Sequence, residues 1–354
     1  MLEEILKEKS WLEQIAESRL PVAVYGMGNG ADKLFAFLEQ QGIRPACVFA
    51  SDEFVRGQSF RGYPVLRYQQ AAEQYGEMNI LLAFATDLPP VMARIREIAE
   101  QMPLFCPSFS VAGENCATRQ FLEAHAPQIE QAYAALADED SRKTFRGVAE
   151  FQLTGRLPAL DAISQPRSQS LALLHLSSEE IYADLGAYRG DTLLEFLEQA
   201  GDYRQIFAVE PDAKNFAKLE SLIRRLNLRG VVAKNNAVSD AARKVCFGSP
   251  GGRSSAIGRG KGEVQALPLL ELTHGQIPSY IKMDIEGAEA AALRGMEGVL
   301  AAHAPKLLVS AYHRIEDYFS LPLQILRAQP GYRIYLRKSP YYPAWEVNLI
   351  CLAQ

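Results

Sequence analysis

The stretch IYADLGAYRGDT, residues 181–192, decides the fold of the second half of the 354-residue chain. It begins as an apolar strand, passes through a turn with Gly186 and Gly190, and continues into apolar residues at helical spacing. In an open parallel sheet, ligands bind beyond the carboxyl ends of the strands, so this turn is placed to meet a small molecule. Asp184 adds a negative charge that favours a ligand with a cation or hydroxyl groups. An ordinary strand-to-helix turn, with Asp191 as the helix N-cap, stays the alternative.

Two more predicted strand tips in this half carry polar residues. An apolar run over 205–209 ends in Glu210, and an acidic residue at the second strand tip commonly binds the two hydroxyls of a ribose. A later strand, over 230–233, is followed by Asn236 and Ala237. Each residue alone also suits a solvated loop, so the prediction of a ligand site depends on their order along the chain.

A further strand is predicted over 279–283. It is mostly apolar but contains Lys282, and Asp284 follows it directly. Lys282 and Asp284 share one face because they are two residues apart, so they can pair with each other. Two charges on a central strand are costly unless the protein uses them. His313 follows another apolar run, over 306–311, at the same sheet end, and imidazole suits a general base because it titrates near neutral pH. Lys282, Asp284 and His313 are therefore the predicted catalytic residues, with a surface role for His313 as the alternative.

A metal site at the same strand tip is a separate hypothesis. Asp284 with Glu286, Glu289 or His313 offers ligands that suit Mg²⁺. Glu286 and Glu289 also lie at the start of a helix predicted over 288–300, where the helix dipole favours carboxylates. Because the sequence has no dense carboxylate cluster here, it assigns no metal.

These segments together resemble the FkbM family of S-adenosylmethionine-dependent methyltransferases. They read DLGAYRGDT from residue 184, VEPD from 209, NNAVSD from 235 and IKMDIEGAE from 281, and the last is the most specific. The resemblance covers about residues 179–354. It implies a class I methyltransferase fold with a seven-stranded sheet whose last strand is antiparallel. It also implies O-methylation of a sugar, a sugar nucleotide or a secondary metabolite as the usual reaction.

The resemblance further implies S-adenosylmethionine as the cofactor. One departure from the family concerns the residues before the K-x-D strand, where Thr-Leu-Asp-Asp is frequent and this chain has PLLE over 268–271. Any role of the first Asp is therefore absent here or shifted to Glu271. The cofactor site implied by the family consists of Asp184, Gly186 and Ala187 at the methionine part, Glu210 and Pro211 at the ribose, and Asn236 and Ala237 at the adenine.

The first half of the chain contains a similar strand, glycine turn and helix. An apolar run over 21–25 leads into a turn with Gly26 and Gly28. Asp52 lies 26 residues after Gly26, close to where a ribose-binding acid falls in the dinucleotide fingerprint. Strands alternating with helices over about 18–110 predict a small parallel sheet that resembles the Rossmann-like domains beside sugar-modifying enzymes. Nucleotide binding and a scaffold or dimerisation role are both open for it.

The predicted fold class is therefore α/β throughout. We predict an N-terminal Rossmann-like domain over 1–115, a helical connector over 116–178 and a methyltransferase domain over 179–354. A helix is expected at the start of the chain, since apolar residues recur there at helical spacing. The glycine-rich segment 248–262 is either a mobile lid over an anionic acceptor or a flexible hairpin tip.

Composition excludes several classes of partner. Lys and Arg total 37 against 42 Asp and Glu, and the formal charge of -5 gives no general attraction to nucleic acid or anionic lipid. The five cysteines are scattered without a C-x-x-C pair, as in reduced cytosolic proteins. The N-terminus lacks the pattern of a signal peptide, and no run of about 18 apolar residues occurs. We expect a cytoplasmic protein with a small-molecule acceptor and neither nucleic acid nor membrane as partner.

The leading prediction is an S-adenosylmethionine-dependent methyltransferase that acts on a hydroxyl. One alternative is an NAD(P)-dependent or nucleotide-sugar-binding enzyme that uses the N-terminal domain. Another is a non-catalytic ligand sensor with a methyltransferase fold. The sequence does not identify the acceptor, because acceptor pockets are built from loops, and it leaves the formation of a homo-oligomer undecided.

Overall fold

The computed structural model describes residues 1–248, 256–257 and 262–353. The chain divides into two compact units that are discontinuous in sequence. The three domain ranges predicted from the sequence are each continuous, and these boundaries remain predictions. Unit 1 comprises Met1–Glu130, Lys143–Ser164 and Lys338–Glu346, and unit 2 comprises Gln131–Arg142, Gln165–Arg337 and Val347–Gln354.

Unit 1 contains a six-stranded sheet with the order β3-β4-β2-β1-β5-β6. All neighbouring strands are parallel except the pair β3 and β4. The predicted apolar strands correspond to β1, β2 and β5, which are buried along their whole length because both faces of a parallel sheet are covered. The strands are β1 (Val22–Tyr25), β2 (Cys47–Ala50), β3 (Ser59–Phe60), β4 (Tyr63–Arg67), β5 (Asn79–Leu82) and β6 (Leu104–Phe105).

The chain opens with two helices where the sequence predicted one. Ser10 begins the second helix because its hydroxyl accepts a hydrogen bond from the N–H of Glu13 at 3.3 Å, while the Glu13 carboxylate accepts from the N–H of Ser10 at 2.6 Å. Helices before the second sheet are α1 (Leu2–Ile5), α2 (Trp11–Ser18), α3 (Asn29–Gln40), α4 (Tyr68–Tyr75), α5 (Pro89–Gln101), α6 (Arg119–Ala124), α7 (Ala126–Ala134), α8 (Glu139–Thr154), α9 (Leu157–Asp161) and α10 (Arg167–Ala172), and Asp52–Phe54 is a 3₁₀ helix.

Unit 2 contains a seven-stranded sheet with the order β16-β17-β15-β14-β7-β8-β9. The last strand, β17, runs antiparallel to β15, as the sequence predicted. From β15 to β9, neighbouring strands are parallel. The strands are β7 (Ile181–Leu185), β8 (Gln205–Val209), β9 (Val231–Lys234), β14 (Tyr280–Met283), β15 (Lys306–Ser310), β16 (Tyr332–Lys338) and β17 (Val347–Ala353).

A buried aromatic stack fixes the two central strands against each other. Tyr182 of β7 stacks on Tyr280 of β14 and on Phe196, with ring centroids 4.8 Å and 4.4 Å away. Tyr182 is opposite Tyr280 in the strand pairing, so Asp184 is opposite Lys282 two residues further on. Because side chains alternate along a strand, these two charged residues lie on the same face as the aromatic stack.

A small sheet in unit 2, with the order β10-β13-β11-β12, was not predicted. The proposed glycine-rich lid falls on residues 249–255 and 258–261, which lie outside the described residues. The strands of this sheet are β10 (Ala237–Val238), β11 (Arg243–Gly248), β12 (Ala256–Ile257) and β13 (Gly262–Leu267).

The helix predicted over 288–300 is divided at Met296. Gly295 lies there against the backbone, where an added Cβ would approach the carbonyl oxygen of Ser239 to 2.6 Å. No helix within the described part of the chain is long and apolar enough to cross a bilayer. The later helices are α11 (Asp191–Ala200), α12 (Ala213–Arg225), α13 (Leu269–Leu272), α14 (Glu289–Gly295), α15 (Glu297–His303) and α16 (Asp317–Ala328).

Candidate functional site

Five parallel strands of unit 2 end at the same edge of the sheet. Because neighbouring strands from β15 to β9 run in one direction, the segments that follow them meet at this edge. The structure thus brings together residues from segments that are far apart in sequence. The predicted site residues that follow these strands are Gly186 after β7, Glu210 after β8, Asn236 after β9, Asp284 after β14 and His313 after β15.

Asp184 and Lys282 form a buried ion pair across the two central strands. The Lys282 Nζ lies 3.2 Å from Asp184 Oδ1, and the Thr192 hydroxyl donates to Asp184 Oδ2 at 2.6 Å. The sequence had paired Lys282 with Asp284. That pairing was wrong because directly opposite residues on neighbouring strands are closer than residues two apart along one strand. Burial lowers the pKa of Lys282, but the charges of Asp184 and Asp284 outweigh it and raise the pKa.

The turn after β7 approaches the next strand too closely for any side chain at Gly186. An added Cβ there would lie 1.9 Å from the carbonyl oxygen of Asp284, and the φ angle of +87° also favours glycine. The N–H groups of Gly186 and Ala187 both donate to the Val209 carbonyl at 2.9 Å. Lys282 Nζ donates to the Gly186 carbonyl at 2.6 Å, so the ion pair also holds the turn.

Glu210 presents a buried carboxyl group beside this turn. Its Oε2 accepts the N–H of Tyr188 at 2.8 Å, and its Oε1 accepts the N–H of Asp212 at 2.9 Å. Burial raises the pKa of Glu210 to about 7, although the two N–H donors oppose the shift. The carboxyl is therefore oriented by the backbone while each oxygen keeps a lone pair for a further donor.

The other predicted cofactor residues lie close in sequence to the tips of β8 and β9. Pro211 is half-buried, and its carbonyl accepts from the side chain of Asn235 at 3.0 Å. Asn236 is half-buried and donates from Nδ2 to the carbonyl of Gln265 at 3.0 Å. Ala237 is buried in β10. The small sheet that contains β10 and β13 therefore holds Asn236 in place.

His313 lies between carboxylates and is only 2% exposed. Its Nδ1 is 2.8 Å from Glu289 Oε1, and its Nε2 is 3.2 Å from Asp284 Oδ1. Burial lowers the pKa of His313, but Glu289 and Asp284 outweigh it and raise the pKa well above the usual value. In this arrangement the charged ring donates to both carboxylates. The base role predicted from the sequence stays a prediction, and it needs a ring that has lost a proton.

Asp284 and Glu286 are the accessible members of this cluster, each with about a third of the side chain exposed, 33% and 34%. Burial tends to raise the pKa of Asp284, but the hydrogen bond with His313 and the charge of Lys282 hold it well below its usual range. Burial raises the pKa of Glu286 to about 7. The Tyr312 hydroxyl lies 3.4 Å from both carboxylate oxygens of Asp284.

Sequence reasoning missed two partners of the predicted residues and underrated a third. Glu289 had been interpreted as a carboxylate favoured by the helix dipole or as a metal ligand, yet it contacts His313, which follows a different strand. Its place in the IKMDIEGAE motif was the available signal. Thr192, at the end of the stretch 181–192, donates its hydroxyl to Asp184 from the first turn of α11. Asp317 is buried near the cluster, where burial and the charge of Glu289 raise its pKa, and no motif marked it.

The first glycine turn, in unit 1, has apolar surroundings. Tyr25 stacks on Phe49 at 4.5 Å between ring centroids and meets Phe84 edge-on at 4.9 Å. Asp52, the predicted ribose-binding acid, is exposed in the 3₁₀ helix after β2. Gly26 has the positive φ of +121° that its turn requires. Nucleotide binding at this turn stays a prediction.

The order of the seven strands and the antiparallel last strand define the fold of class I S-adenosylmethionine-dependent methyltransferases. Residues 184–334 match the family model of the methyltransferase FkbM domain. This part of the chain therefore matches the FkbM methyltransferase domain, and its fold is that of a class I methyltransferase. The finding confirms the resemblance drawn from the sequence motifs.

One solved structure gives the same fold over most of the chain. The chain is similar to methyltransferase FkbM from Methylobacillus flagellatus KT, with a TM-score of 0.74 and 21% identity over 94% of this chain and 89% of that one. More distant likenesses are to precorrin-6y C5,15-methyltransferase from Geobacter metallireducens GS-15, with a TM-score of 0.35 and 13% identity over 53% and 87% of the two chains. Fibrillarin from Aeropyrum pernix, with bound S-adenosyl-L-methionine, has a TM-score of 0.34 and 12% identity over 53% and 74%. No curated protein sequence matches the chain.

Proposed function

We propose that the protein transfers the methyl group of S-adenosylmethionine to a hydroxyl oxygen of a sugar, a sugar nucleotide or a secondary metabolite. The observation that carries the proposal is the buried carboxyl of Glu210 beside the turn of Gly186 and Ala187. Each of its oxygens accepts one backbone N–H and has room for one more donor. Two neighbouring hydroxyls, as in a ribose, match that arrangement.

The cofactor in this proposal lies across the tips of β7, β8 and β9. Asp184 is fully buried, so its charge acts through Lys282 and the Gly186 carbonyl on the shape of the turn. Lys282 was predicted to be catalytic, and its contacts support a positioning role instead. The residues proposed to line the cofactor are Gly186 and Ala187 at the methionine part, Glu210 and Pro211 at the ribose, and Asn236 and Ala237 at the adenine.

Methyl transfer requires that the acceptor and the cofactor be positioned correctly and that a group accept the hydroxyl proton. The acceptor oxygen forms a bond to the methyl carbon while the carbon–sulfur bond breaks in line with it, and the hydroxyl proton leaves. Asp284 is partly exposed at the strand tip next to Gly186 and is proposed to accept the hydrogen bond of the acceptor hydroxyl. His313 fixes that carboxylate. We propose that the proton passes by way of Asp284 to His313, which can take it only after the ring has lost the proton that it shares with Asp284.

Isothermal calorimetry with four ligands tests the cofactor assignment. S-adenosylmethionine and S-adenosylhomocysteine should bind, while NAD and NADP should give no heat of binding. Preferential binding of NAD or NADP would instead support an enzyme that uses the N-terminal domain. Binding of none of the four would instead favour a ligand sensor that has kept the fold.

Turnover measurements test the residues that meet the acceptor. With labelled S-adenosylmethionine and a panel of sugars and sugar nucleotides, mass spectrometry should locate the methyl group on oxygen. Asp284→Asn and His313→Ala should lower the turnover number by about 10²–10⁴-fold while the affinity for S-adenosylhomocysteine stays close to that of the wild type. Asp202→Asn, on an exposed turn, is the matched control. Wild-type turnover in both site variants would remove the pair from the mechanism.

A further inference from the structure

The cluster around His313 has a feature that methyl transfer from S-adenosylmethionine does not by itself explain. Three carboxylates, those of Asp284, Glu286 and Glu289, lie within 4 Å of one imidazole ring. Lys282 is near, but its ammonium group is engaged by Asp184 and the Gly186 carbonyl. The ring supplies at most one positive charge to these three carboxyl groups. Asp284, Glu289 and His313 also place one potential ligand atom each within 4.8 Å of the others.

We propose that Asp284, Glu286 and His313 bind a divalent metal cation and that Glu289 orients the imidazole ring. Nε2 of His313 lies 3.2 Å from Asp284 Oδ1 and 3.8 Å from Glu286 Oε2. Adjacent ligand atoms around an octahedral cation with bonds of about 2.1 Å are about 3 Å apart. Nε2 thus lies within 4 Å of one oxygen of each carboxylate, so a cation in the place of its proton would be close to all three groups.

Glu289 supplies an independent observation. Its Oε1 faces Nδ1 of His313 at 2.8 Å and also accepts the N–H of Ile285 at 2.9 Å. A carboxylate on the second ring nitrogen is the common way in which proteins orient a metal-binding histidine, because it leaves the other nitrogen free to coordinate. Oε2 of Glu289 is buried and finds no hydrogen-bond donor among the described residues. A buried carboxylate oxygen without a donor is costly, so a cation or a donor near it would stabilise the cluster.

The donor set and its exposure indicate which cations fit. Two carboxylates with one imidazole form a mostly oxygen site, which suits Mg²⁺ and Mn²⁺ better than ions that prefer thiolates. Asp284 and Glu286 are each about a third exposed, so an ion can enter and keep open positions. The consequence for catalysis rests on the proposed function: an acceptor hydroxyl bound to the cation loses its proton more easily.

Mn²⁺ is the probe for the test, because its electron paramagnetic resonance signal distinguishes free from bound ion. The full chain, treated with EDTA and desalted, should show saturable binding of a single Mn²⁺ ion. Asp284→Asn and Glu286→Gln should each weaken that binding by about tenfold or more, and Glu289→Gln by about 10–100-fold. Asp202→Asn removes an exposed carboxylate elsewhere in unit 2 and should bind Mn²⁺ like the wild type.

Two results would overturn the metal site: no saturable binding by the wild type, or wild-type affinity in Asp284→Asn and Glu286→Gln. Glu286→Gln changes a partly exposed side chain, so it stays informative even where Glu289→Gln fails to fold, as circular dichroism would reveal. Calorimetry with S-adenosylhomocysteine on the same EDTA-treated protein separates the two proposals. If S-adenosylhomocysteine binds and Mn²⁺ does not, the metal site is rejected and the proposed function is retained. If Mn²⁺ binds and S-adenosylhomocysteine does not, the proposed function is rejected and the metal site is retained.

Discussion

The two sheets of this protein begin with the same local pattern and differ in what they bury. In unit 1, the residue two before the first glycine is Val24, which is opposite Leu81 on the neighbouring strand. In unit 2, the residue two before the glycine is Asp184, which is opposite Lys282. Each pair is almost fully buried, one apolar and the other ionic.

The difference continues at the next strand tips. After β2 comes Ser51, whose hydroxyl is 2.9 Å from that of Tyr25, whereas after β8 comes the buried acid Glu210. A glycine turn after a strand is thus compatible with a purely structural role. Buried charges are costly, and their concentration at the tips of β7, β8 and β14 is a better indicator of a binding site than the turn itself.

The largest expected effect comes from breaking the ionic pair. Lys282→Met leaves Asp184 buried without a cation and should lower the free energy of unfolding of unit 2 by about 3–5 kcal/mol. Both tryptophans, Trp11 and Trp345, belong to unit 1, so their fluorescence reports that unit. Hydrogen exchange of peptides from β7 and β14, measured in increasing urea, reports unit 2.

The double variant Asp184→Val/Lys282→Leu copies the apolar pair of unit 1 and serves as the control. It should be as stable as the wild type or more stable by up to about 1–4 kcal/mol, since paired replacement of a buried ion pair is often neutral or stabilising. It should nevertheless bind S-adenosylhomocysteine more weakly, because the Gly186 carbonyl loses its lysine. A single variant as stable as the wild type would show that the charges do not hold the two strands.

The next effect concerns the second strand tip. Glu210→Ala removes a charged acceptor from the proposed ribose position. It should weaken the binding of S-adenosylhomocysteine, measured by calorimetry, by about 1–3 kcal/mol. Unchanged affinity would reject the ribose assignment and leave the buried acid unexplained.

A pH effect should follow from the same residue. Glu210 has a pKa of about 7 in the ligand-free protein, and the ionised form accepts hydroxyl donors. Affinity for S-adenosylhomocysteine should therefore fall about tenfold from pH 8 to pH 6, and Glu210→Gln should remove the dependence. The folded-state pKa is raised above the unfolded value, so this carboxyl's contribution to stability is present below about pH 4.5 and is lost as pH rises through about 7. A wild type whose affinity is equally high at both pH values would contradict the prediction.

The smallest effect is expected in unit 1. Ser51→Ala removes the hydrogen bond to Tyr25 and should lower the free energy of unfolding of unit 1 by about 0.5–1.5 kcal/mol, measured by tryptophan fluorescence in urea. The affinity for S-adenosylhomocysteine should not change, in contrast with Glu210→Ala at the corresponding strand tip. A loss of cofactor affinity in Ser51→Ala would mean that the two strand tips do not differ as described.

The central strands and the fold class could be predicted because their signals are local. Apolar runs such as 205–209 and 306–311 form β8 and β15 almost residue for residue. The two-residue strands β3 and β6 were not predicted, since so short a run has no period to detect. The opening helix and the helix after Asp284 were each predicted as one piece and are divided in the structure, at the cap of Ser10 and at Met296.

The sequence alone determined which residues carry charge at strand tips and that several segments end at one sheet edge. It did not determine the pairing of those charges. The partner of Lys282 is Asp184 because strand register places them opposite each other, and the partner of His313 is Glu289 because the tips of β14 and β15 are adjacent. Both contacts join residues that are far apart along the chain. Contacts over such separations depend on how strands assemble, which local propensity does not encode, and only the tertiary structure decided them.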